Sequence, residues 1–139
     1  EIEVIPGLTA ACSGGALLGA PLTHDFAVIS LSDRLTPWEK IEKRLECAAQ
    51  GDLSIVLYNP RSKGRPGNLR MACDILLRYL PGDRPCGVAH SIGREWAEYM
   101  TLSELRTADV DMFCTVFIGN AMTKMVAGKL VTPRGYRDV

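Results

Sequence analysis

A basic loop follows an apolar, strand-like run near the middle of the chain. The run LSIVLY ends at residue 58, and the next letters, NPRSKGR, place Arg61, Lys63 and Arg65 within five positions. Guanidinium groups bind carboxylates and phosphates through paired hydrogen bonds, and an ammonium group adds positive charge. The loop therefore indicates a ligand with several carboxylates or phosphates, and a solvated charged turn is the structural alternative.

The pair His24-Asp25, directly before another strand-like run, is a second place where the residue types allow chemistry. A histidine beside a carboxylate can act as an acid or a base near neutral pH, and a structural hydrogen bond is the alternative. The chain has one other histidine, His90, and no H-x-x-x-H motif or Cys/His cluster, so no metal site is predicted. P-loop, dinucleotide-binding and G-x-S-x-G motifs are also absent.

The composition indicates one globular domain over residues 1–139, because chains of this length bury a sizeable core. Sixteen basic residues balance sixteen acidic ones, which argues against nucleic acid or an anionic membrane as a partner. No apolar run approaches the ~20 residues of a membrane-spanning helix and no signal peptide is visible, so we expect a cytoplasmic protein. The chain opens at Glu1 inside a strand-like segment, which predicts a piece of a longer protein.

The cysteines are odd in number, far apart and without a C-x-x-C motif. This pattern favours neither a disulfide framework nor a zinc knuckle. We predict that they are small buried hydrophobic residues in a reducing compartment: Cys12, Cys47, Cys73, Cys86 and Cys114.

Short β-rich runs alternate with helical patterns along the chain. Strands are predicted at 2–5, 26–31, 53–58, 86–91 and 112–119, and helices at 8–19, 37–50 and 67–80. The segment 95–106 is ambiguous, and we place a strand at 98–102 and a helical turn at 103–106. The alternation predicts an α/β fold, a roughly five-stranded sheet flanked by helices. Ligands of such sheets bind beyond the carboxyl ends of the strands, so the loops that follow the strands are expected to meet there.

The helix at 37–50 has the clearest boundary signals. Thr36 is predicted as its N-cap, with Pro37 in the first turn, Glu39 completing a capping box and Gly51 as the stop. The predicted inward stripe consists of Ile41, Leu45 and Ala48 or Ala49.

The turn PGLTAA at 6–11 leads into a helix of small residues. A ligand can approach the backbone closely at such a turn. Tight packing of the helix on its sheet is the structural alternative.

Several motifs, taken in order along the chain, resemble those of the tetrapyrrole methylase family. They are IPGLTAA, GAPLTHDFAVISLSD, TPWEKIEKRL, VLYNPRSKGR, the Gly93-Arg94-Glu95 run and VFIGNA. Each motif is weak, but the ordered set is specific and extends over nearly the whole chain. YNPRS together with LTHDFAVISLSD resembles the members that methylate ring carbon seventeen of precorrin-3B and contract the macrocycle in cobalamin biosynthesis.

The resemblance implies a two-domain enzyme that holds S-adenosylmethionine in the cleft between its domains. This chain resembles only the second domain, because the glycine-rich G-x-G-x-G-D loop of the first is absent. The expected partners are a tetrapyrrole substrate, the missing N-terminal domain and a second copy of the chain in a homodimer. His90-Ser91-Ile92 departs from an Arg-Asn-Ala-like run of many members, which leaves open a uroporphyrinogen or precorrin-4 substrate. A non-catalytic binding or dimerisation module is the alternative function.

The family's functional positions can be carried over onto matching residues. The resemblance implies cofactor contacts at Thr9, Ala10, Tyr58, Asn59, Ala121 and Met122. The acetate and propionate groups of precorrins are expected at Arg61, Ser62 and Lys63. Ring contraction needs proton movements, for which the candidate groups are His24, Asp25, His90 and Glu95.

Overall fold

The computed structural model describes residues 1–90 and 96–136. Its helices are α1 (Ala10–Leu18), α2 (Trp38–Gln50), α3 (Asn68–Leu76) and α4 (Leu102–Leu105). Its strands are β1 (Gly19–Ala20), β2 (Phe26–Ser30), β3 (Ser54–Tyr58), β4 (Pro85–His90), β5 (Trp96–Thr101), β6 (Cys114–Ile118), β7 (Lys124–Val126) and β8 (Lys129–Val131). Within these two ranges, no helix has the length and apolar character needed to cross a bilayer.

Five strands form the central sheet, in the order β2-β3-β6-β4-β5. β2 and β3 are parallel, whereas β6 is antiparallel to both of its neighbours and β5 is antiparallel to β4. The carboxyl ends of β2, β3 and β4 therefore share one rim of the sheet with the amino ends of β5 and β6. We name this the carboxyl rim, and we name the opposite rim, where β2, β3 and β4 begin, the amino rim. The structure confirms the predicted α/β class with a five-stranded sheet.

Helices cover the two faces of the central sheet unequally. α2 and α3 pack on one face, and the predicted inward stripe of α2 is buried there: Ile41, Leu45, Ala48 and Ala49. α1 packs on the other face around Phe117, a fully buried side chain whose transfer from water contributes about 1.5–3 kcal/mol. On that face Phe26 and Val28 of β2 stay 43% and 46% exposed. The face beside β2 is therefore an apolar surface that no described helix covers.

α1 lies close to the sheet because small residues line the contact. A Cβ atom on Gly87 of β4 would lie 2.6 Å from Leu18 Cδ2, and one on Gly14 would lie 3.1 Å from the Phe117 ring. A larger residue at Gly87 would push the end of the helix away from the sheet. Tight packing of the small-residue helix, one of the two explanations of its sequence, is thus confirmed.

A second, three-stranded sheet has the order β1-β8-β7. Its hairpin, β7 and β8, turns at Ala127 and Gly128, which have φ values of 49° and 74°. No strand is predicted for β7 or β8 from the sequence, because two three-residue strands are too short to show alternation. Their turn residues, with positive φ, are typical of tight hairpins.

Residues 1–9 form no helix or strand, so the strand predicted at 2–5 is wrong. Ile2, Val4 and Ile5 are 94%, 88% and 78% exposed, and no described strand pairs with them. β-branched residues favour a strand only where a neighbouring strand and a packed face support it. The segment therefore presents apolar side chains without a partner among the described residues.

The remaining predicted helices and strands are present with shifted boundaries, and β5 followed by α4 confirms the strand and turn predicted within 95–106. The start of α2 differs from the prediction. Pro37 is its N-cap and no side chain caps the helix, so the capping box predicted for Thr36 and Glu39 is wrong. The stop at Gly51 is confirmed.

All five cysteines are free thiols, but only Cys73, Cys86 and Cys114 are buried. Cys12 and Cys47 are exposed, so the prediction of burial is wrong for these two. Both lie on helices, at positions outside the buried stripes of α1 and α2.

Candidate functional site

Tyr58, the last residue of β3, joins the carboxyl rim to α1. Its hydroxyl accepts a hydrogen bond from the Ala11 N–H at 2.8 Å and is also hydrogen-bonded to Thr9 Oγ1. Thr9 is the N-cap of α1, yet its own side chain caps no helical N–H. The tyrosine instead satisfies one of the free N–H groups of the first turn. Thr9 and Ala10 are exposed, so this corner of the rim is accessible to a ligand.

Asn59 turns the chain away from the sheet. Its φ of 53° lies in the left-handed region, which asparagine tolerates better than most residues. The Asn59 Nδ2 donates to Ser30 Oγ at 2.9 Å, which links β3 to β2. Its Oδ1 has no hydrogen-bond donor among the described residues and remains free to accept one from a ligand. The structure therefore brings four of the predicted cofactor residues together: Thr9, Ala10, Tyr58 and Asn59.

The basic loop is a tight turn. Ser62 and Arg65 exchange both backbone hydrogen bonds, at 3.3 and 3.0 Å. Arg61 Nη1 lies 2.9 Å from Asp109 Oδ1, and the Asp109 side chain is 97% exposed. Lys63 has no ion-pair partner within the described ranges. Exposed ion pairs contribute little to stability, so Arg61 can exchange Asp109 for a ligand carboxylate at small cost.

An open cleft of about 1020 Å³ begins at this loop. Its lining includes Arg61, Ser62, Lys63, His90, Trp96 and Glu98. Small-molecule sites usually enclose about 300–1,000 Å³, so the cleft accepts a large ligand. Arg65 does not line it, and its Nε instead pairs with Asp33 Oδ1 at 2.9 Å. The three predicted substrate contacts therefore share one cleft with His90.

His90, at the end of β4, is the centre of a hydrogen-bonded cluster. Its Nε2 lies 3.0 Å from Glu98 Oε2, and its Nδ1 lies 3.2 Å from Cys114 Sγ. The imidazole also stacks on Trp96, with ring centroids 3.7 Å apart and 5° between the planes. Alternate residues of a strand face the same side, so Trp96 and Glu98 of β5 both reach the imidazole of the neighbouring strand.

Cys114 and Asp111 complete the cluster. Burial raises the pKa of the Cys114 thiol to about 11, so the thiol is protonated at neutral pH. The Phe113 N–H donates to Asp111 Oδ1 at 2.8 Å, and this bond holds the pKa of Asp111 below its usual range. Cys114 Sγ lies 3.3 Å from the same oxygen. The thiol can therefore donate to Asp111 or to His90 Nδ1.

Ala121 and Met122 lie at the amino rim, because β6 runs against its neighbours. The Ala121 N–H donates to Asp52 Oδ1 at 2.8 Å, and Asp52 precedes β3. His24 and Asp25 precede β2 at the same rim, where His24 Nδ1 lies 3.7 Å from Asp25 Oδ2. They share a separate hollow of about 410 Å³ with Met122. The expectation that all these loops meet at one rim is therefore wrong, and these four residues are separated from the others.

The turn after β6 is held by buried polar residues. The Asn120 N–H donates to Thr123 Oγ1 at 2.8 Å, and Asn120 Oδ1 accepts from the Met122 N–H at 2.9 Å. Thr123 Oγ1 and Thr132 Oγ1 are 2.7 Å apart. Buried polar groups need such partners, so the Gly-Asn-Ala end of VFIGNA has a structural explanation here.

Glu95 lies outside the described residues, so the candidate acid/base set has His90 at the carboxyl rim and His24 with Asp25 at the amino rim. Four residues of the cluster around His90 are not among the predicted site residues: Glu98, Trp96, Cys114 and Asp111. The signal for Glu98 and Trp96 was their alternation in EWAEYM, which becomes readable once 96–101 is taken as a strand. In residues 1–90 and 96–136, no group of three or more His, Cys, Asp or Glu side chains has an arrangement that could hold a metal ion.

A large cleft and an exposed polar corner at one rim of an α/β sheet agree with the family resemblance of the sequence. The family model described as Tetrapyrrole (Corrin/Porphyrin) Methylases matches residues 1–109, and the chain belongs to this family.

Two curated relatives are similar over nearly the whole chain. The identity is 47% over 138 residues with a probable cobalt-factor III C(17)-methyltransferase of Salmonella typhimurium strain LT2, covering 98% of this chain and 57% of that protein. It is 41% over 143 residues with a precorrin-3B C(17)-methyltransferase of a Sinorhizobium species, covering 98% and 56%. The chain thus spans just over half the length of these relatives.

Two solved structures share the fold. The methyltransferase CobJ superposes with a TM-score of 0.86 and 39% identity, covering 96% of this chain and 56% of that chain. A uroporphyrin-III C-methyl transferase of Thermus thermophilus, complexed with S-adenosyl homocysteine, has a TM-score of 0.61 at 22% identity, covering 84% and 52%. The second comparison supports the fold alone.

Proposed function

We propose that this chain is the second domain of an S-adenosylmethionine-dependent enzyme that methylates ring carbon seventeen of precorrin-3B or cobalt-factor III, with ring contraction, in cobalamin biosynthesis. The observation that carries the proposal is the cleft of about 1020 Å³ with Arg61 and Lys63 in its lining, which begins two residues beyond Asn59. The names of the relatives with 47% and 41% identity support the reaction and its substrates.

The exposed corner formed by Thr9, Ala10, Tyr58 and Asn59 fits one side of a cofactor site. Asn59 offers a free amide oxygen to an amino group, and the exposed backbone of Ala10 allows close approach. S-adenosylmethionine, when bound, supplies a methyl group carried on a sulfonium sulfur, and this sulfur is a good leaving group because it departs as a neutral thioether. The protein therefore needs no nucleophile of its own. Ala121 and Met122 are left out of this site, because they lie at the amino rim.

The cleft fits the substrate by charge and by size. Arg61 can offer a guanidinium fork to one propionate or acetate, and Lys63 lies two positions further along the same turn. These contacts would hold the macrocycle at a fixed angle beside the methyl donor. Alignment of donor and acceptor carbon is the main contribution such a site can make to methyl transfer.

The exposed apolar surfaces fit a further domain. Ile2, Val4 and Ile5 and, on the sheet face, Phe26 and Val28 lack cover, and the relatives are nearly twice as long as this chain. We infer that an N-terminal domain packs on these residues and closes the cofactor site. A homodimer and a cytoplasmic location belong to the same proposal, and analytical ultracentrifugation of the full-length enzyme tests the dimer.

The test measures transfer of a labelled methyl group from S-adenosylmethionine to precorrin-3B and to cobalt-factor III. The full-length enzyme is expected to turn over one or both. The chain of residues 1–139 alone is expected to unfold cooperatively yet to transfer no methyl group, because half of the ligand contacts are missing. Turnover by residues 1–139 alone would contradict the two-domain site, and no turnover by the full-length enzyme would contradict the function.

A further inference from the structure

Methyl transfer from a sulfonium to carbon releases a proton. The carbon–sulfur bond breaks with its electron pair on sulfur, the ring carbon gains a methyl group, and S-adenosylhomocysteine leaves as a neutral thioether. A neutral tetrapyrrole must then lose one proton from its conjugated ring system to restore neutrality. A group in the cleft that accepts this proton would therefore speed the reaction.

The cleft contains one carboxylate that is joined to an imidazole. The Glu98 side chain is 41% exposed and lines the cleft, whereas the His90 side chain is 15% exposed. Glu98 is thus the more exposed member of the pair, and His90 lies 3.0 Å from it in the same lining. The stacked Trp96 ring and the Cys114 thiol fix the orientation of the imidazole.

The cluster has hydrogen-bond partners in two protonation states. With a neutral imidazole, the thiol of Cys114 can donate to His90 Nδ1 while Nε2–H donates to Glu98. With an imidazolium, both ring nitrogens donate, and the thiol turns to Asp111 Oδ1 at 3.3 Å. Uptake of a proton therefore needs one rotation of an S–H bond and leaves no buried group unpaired.

The other charged side chains that line the cleft are less suited than the Glu98–His90 pair to accept a proton. Arg61 and Lys63 are cations, Asp109 is paired with Arg61, and Asp111 already accepts from the Phe113 N–H. Glu104 also lines the cleft, but it accepts from the Thr101 N–H in the cap of α4 and has no imidazole partner among the described residues. Of these groups, Glu98 is the carboxylate that combines exposure to the cleft with an imidazole partner.

We propose that Glu98 is a catalytic residue that accepts the proton released on methyl transfer, with His90 as the positioning residue that orients Glu98 and shares the proton. The C–H or N–H bond of the ring breaks, its electron pair returns to the conjugated system, and the proton forms an O–H bond on Glu98. This inference rests on the proposed function, because the proton is released only if a tetrapyrrole is methylated in this cleft.

The test uses the full-length enzyme with precorrin-3B and labelled S-adenosylmethionine. Glu98→Gln keeps the size and one acceptor of the side chain and is expected to lower kcat about a hundredfold or more. The dissociation constant of S-adenosylhomocysteine is expected to stay within twofold of wild type. The matched control is Glu104→Gln, because Glu104 accepts a hydrogen bond from the Thr101 N–H in the cap of α4 and a glutamine can still accept it.

A second variant distinguishes proton transfer from a structural role. Glu98→Ala is expected to regain at least tenfold in kcat when formate supplies the missing carboxylate, whereas a merely structural defect would not respond to formate. Wild-type kcat in Glu98→Gln, or a defective Glu98→Ala enzyme that formate does not rescue, would overturn the assignment while leaving the proposed function intact. A wild-type enzyme without activity on either tetrapyrrole would overturn both.

Discussion

The polar residues at the two rims of the central sheet differ in exposure and in their hydrogen-bond partners. At the carboxyl rim, Thr9, Asn59 and Arg61 are exposed, and their side chains retain partners that a ligand can replace. At the amino rim, Asn120 and Thr123 are buried, and each is bonded within its own turn. Asn59 and Asn120 both follow strands and look alike in sequence. The difference shows that the direction of a strand decides at which rim of the sheet the polar loop after it lies.

The largest effect on ligand binding is expected at the basic loop of the carboxyl rim. Arg61→Ala in the full-length enzyme should raise KM for precorrin-3B roughly ten- to a hundredfold, since charge-assisted hydrogen bonds contribute about 1.5–3 kcal/mol. Lys63→Ala should act in the same direction but more weakly, and high salt should mimic part of the defect. Arg134→Ala, at the hollow of the amino rim, is the control and should leave KM unchanged. Equal KM values for Arg61→Ala and wild type at low salt would show that the loop is only a solvated charged turn without a role in substrate binding.

The next effect concerns cofactor affinity. Asn59→Gly removes the amide and accommodates the φ of 53° without strain, whereas a branched or bulky residue would be strained there. The dissociation constant of S-adenosylhomocysteine should rise by about five- to thirtyfold, equivalent to about 1–2 kcal/mol for a lost polar partner. Met122→Ala at the amino rim should leave it unchanged. Calorimetry on the full-length enzyme gives both dissociation constants. A larger loss of affinity in Met122→Ala than in Asn59→Gly would place the cofactor at the amino rim instead.

A smaller effect, on stability alone, is expected at the amino rim. Asp52 Oδ1 accepts from the Ala121 N–H and lies 3.7 Å from Nη1 of the largely buried Arg84. Asp52→Asn keeps the acceptor and tolerates positive φ but removes the charge beside the guanidinium. The variant should lose about 1 kcal/mol, seen as a drop in Tm of about 3–5 °C. Its affinity for S-adenosylhomocysteine should match wild type, and a weaker affinity would show that the two rims are coupled.

The smallest effect is a pH-dependent change in stability at an ion pair away from both rims. The hydrogen bond from Arg106 holds the pKa of Asp74 on α3 below its ordinary value of 3.8. Because the folded-state pKa is lowered, the stability from this pair is complete above about pH 4 and is lost as the pH falls through the lowered pKa. Urea unfolding of wild type and Asp74→Asn from pH 6 to pH 2.5 should show a difference that shrinks at the acidic end. A difference that grows on acidification would contradict the assignment.

The α/β class could be predicted from the alternation of strand and helix patterns along the chain. The corner around Tyr58 and Asn59 was predicted from the family resemblance together with the rule that ligands bind beyond the carboxyl ends of strands. β3 runs parallel to β2, so the general rule on carboxyl ends holds there. The position of Ala121 and Met122 could not be predicted, since the direction of β6 depends on its pairing with strands distant in sequence. Glu98 was missed although it lies in the strand predicted at 98–102, because its contact with His90 depends on the pairing of that strand with β4.

The exposed segment 2–5 fails as a strand for a related reason. Its residues have the right intrinsic preference, but the described part of the chain offers no strand to complete the hydrogen bonds. The intrinsic preference of its residues therefore predicted a strand. A strand forms only where a neighbouring strand pairs with it.

The hydroxyl of Tyr58 is hydrogen-bonded to the first turn of α1. At the other end of the same helix, Leu18 packs in the space that Gly87 leaves because it has no side chain. A helix fixed at both ends cannot slide or tilt, so Thr9 and Ala10 hold their positions before a ligand arrives. Preorganisation of this kind lowers the entropy cost of binding. Under the proposed function, Gly87, in the middle of a strand, thereby contributes to cofactor affinity without contacting the cofactor.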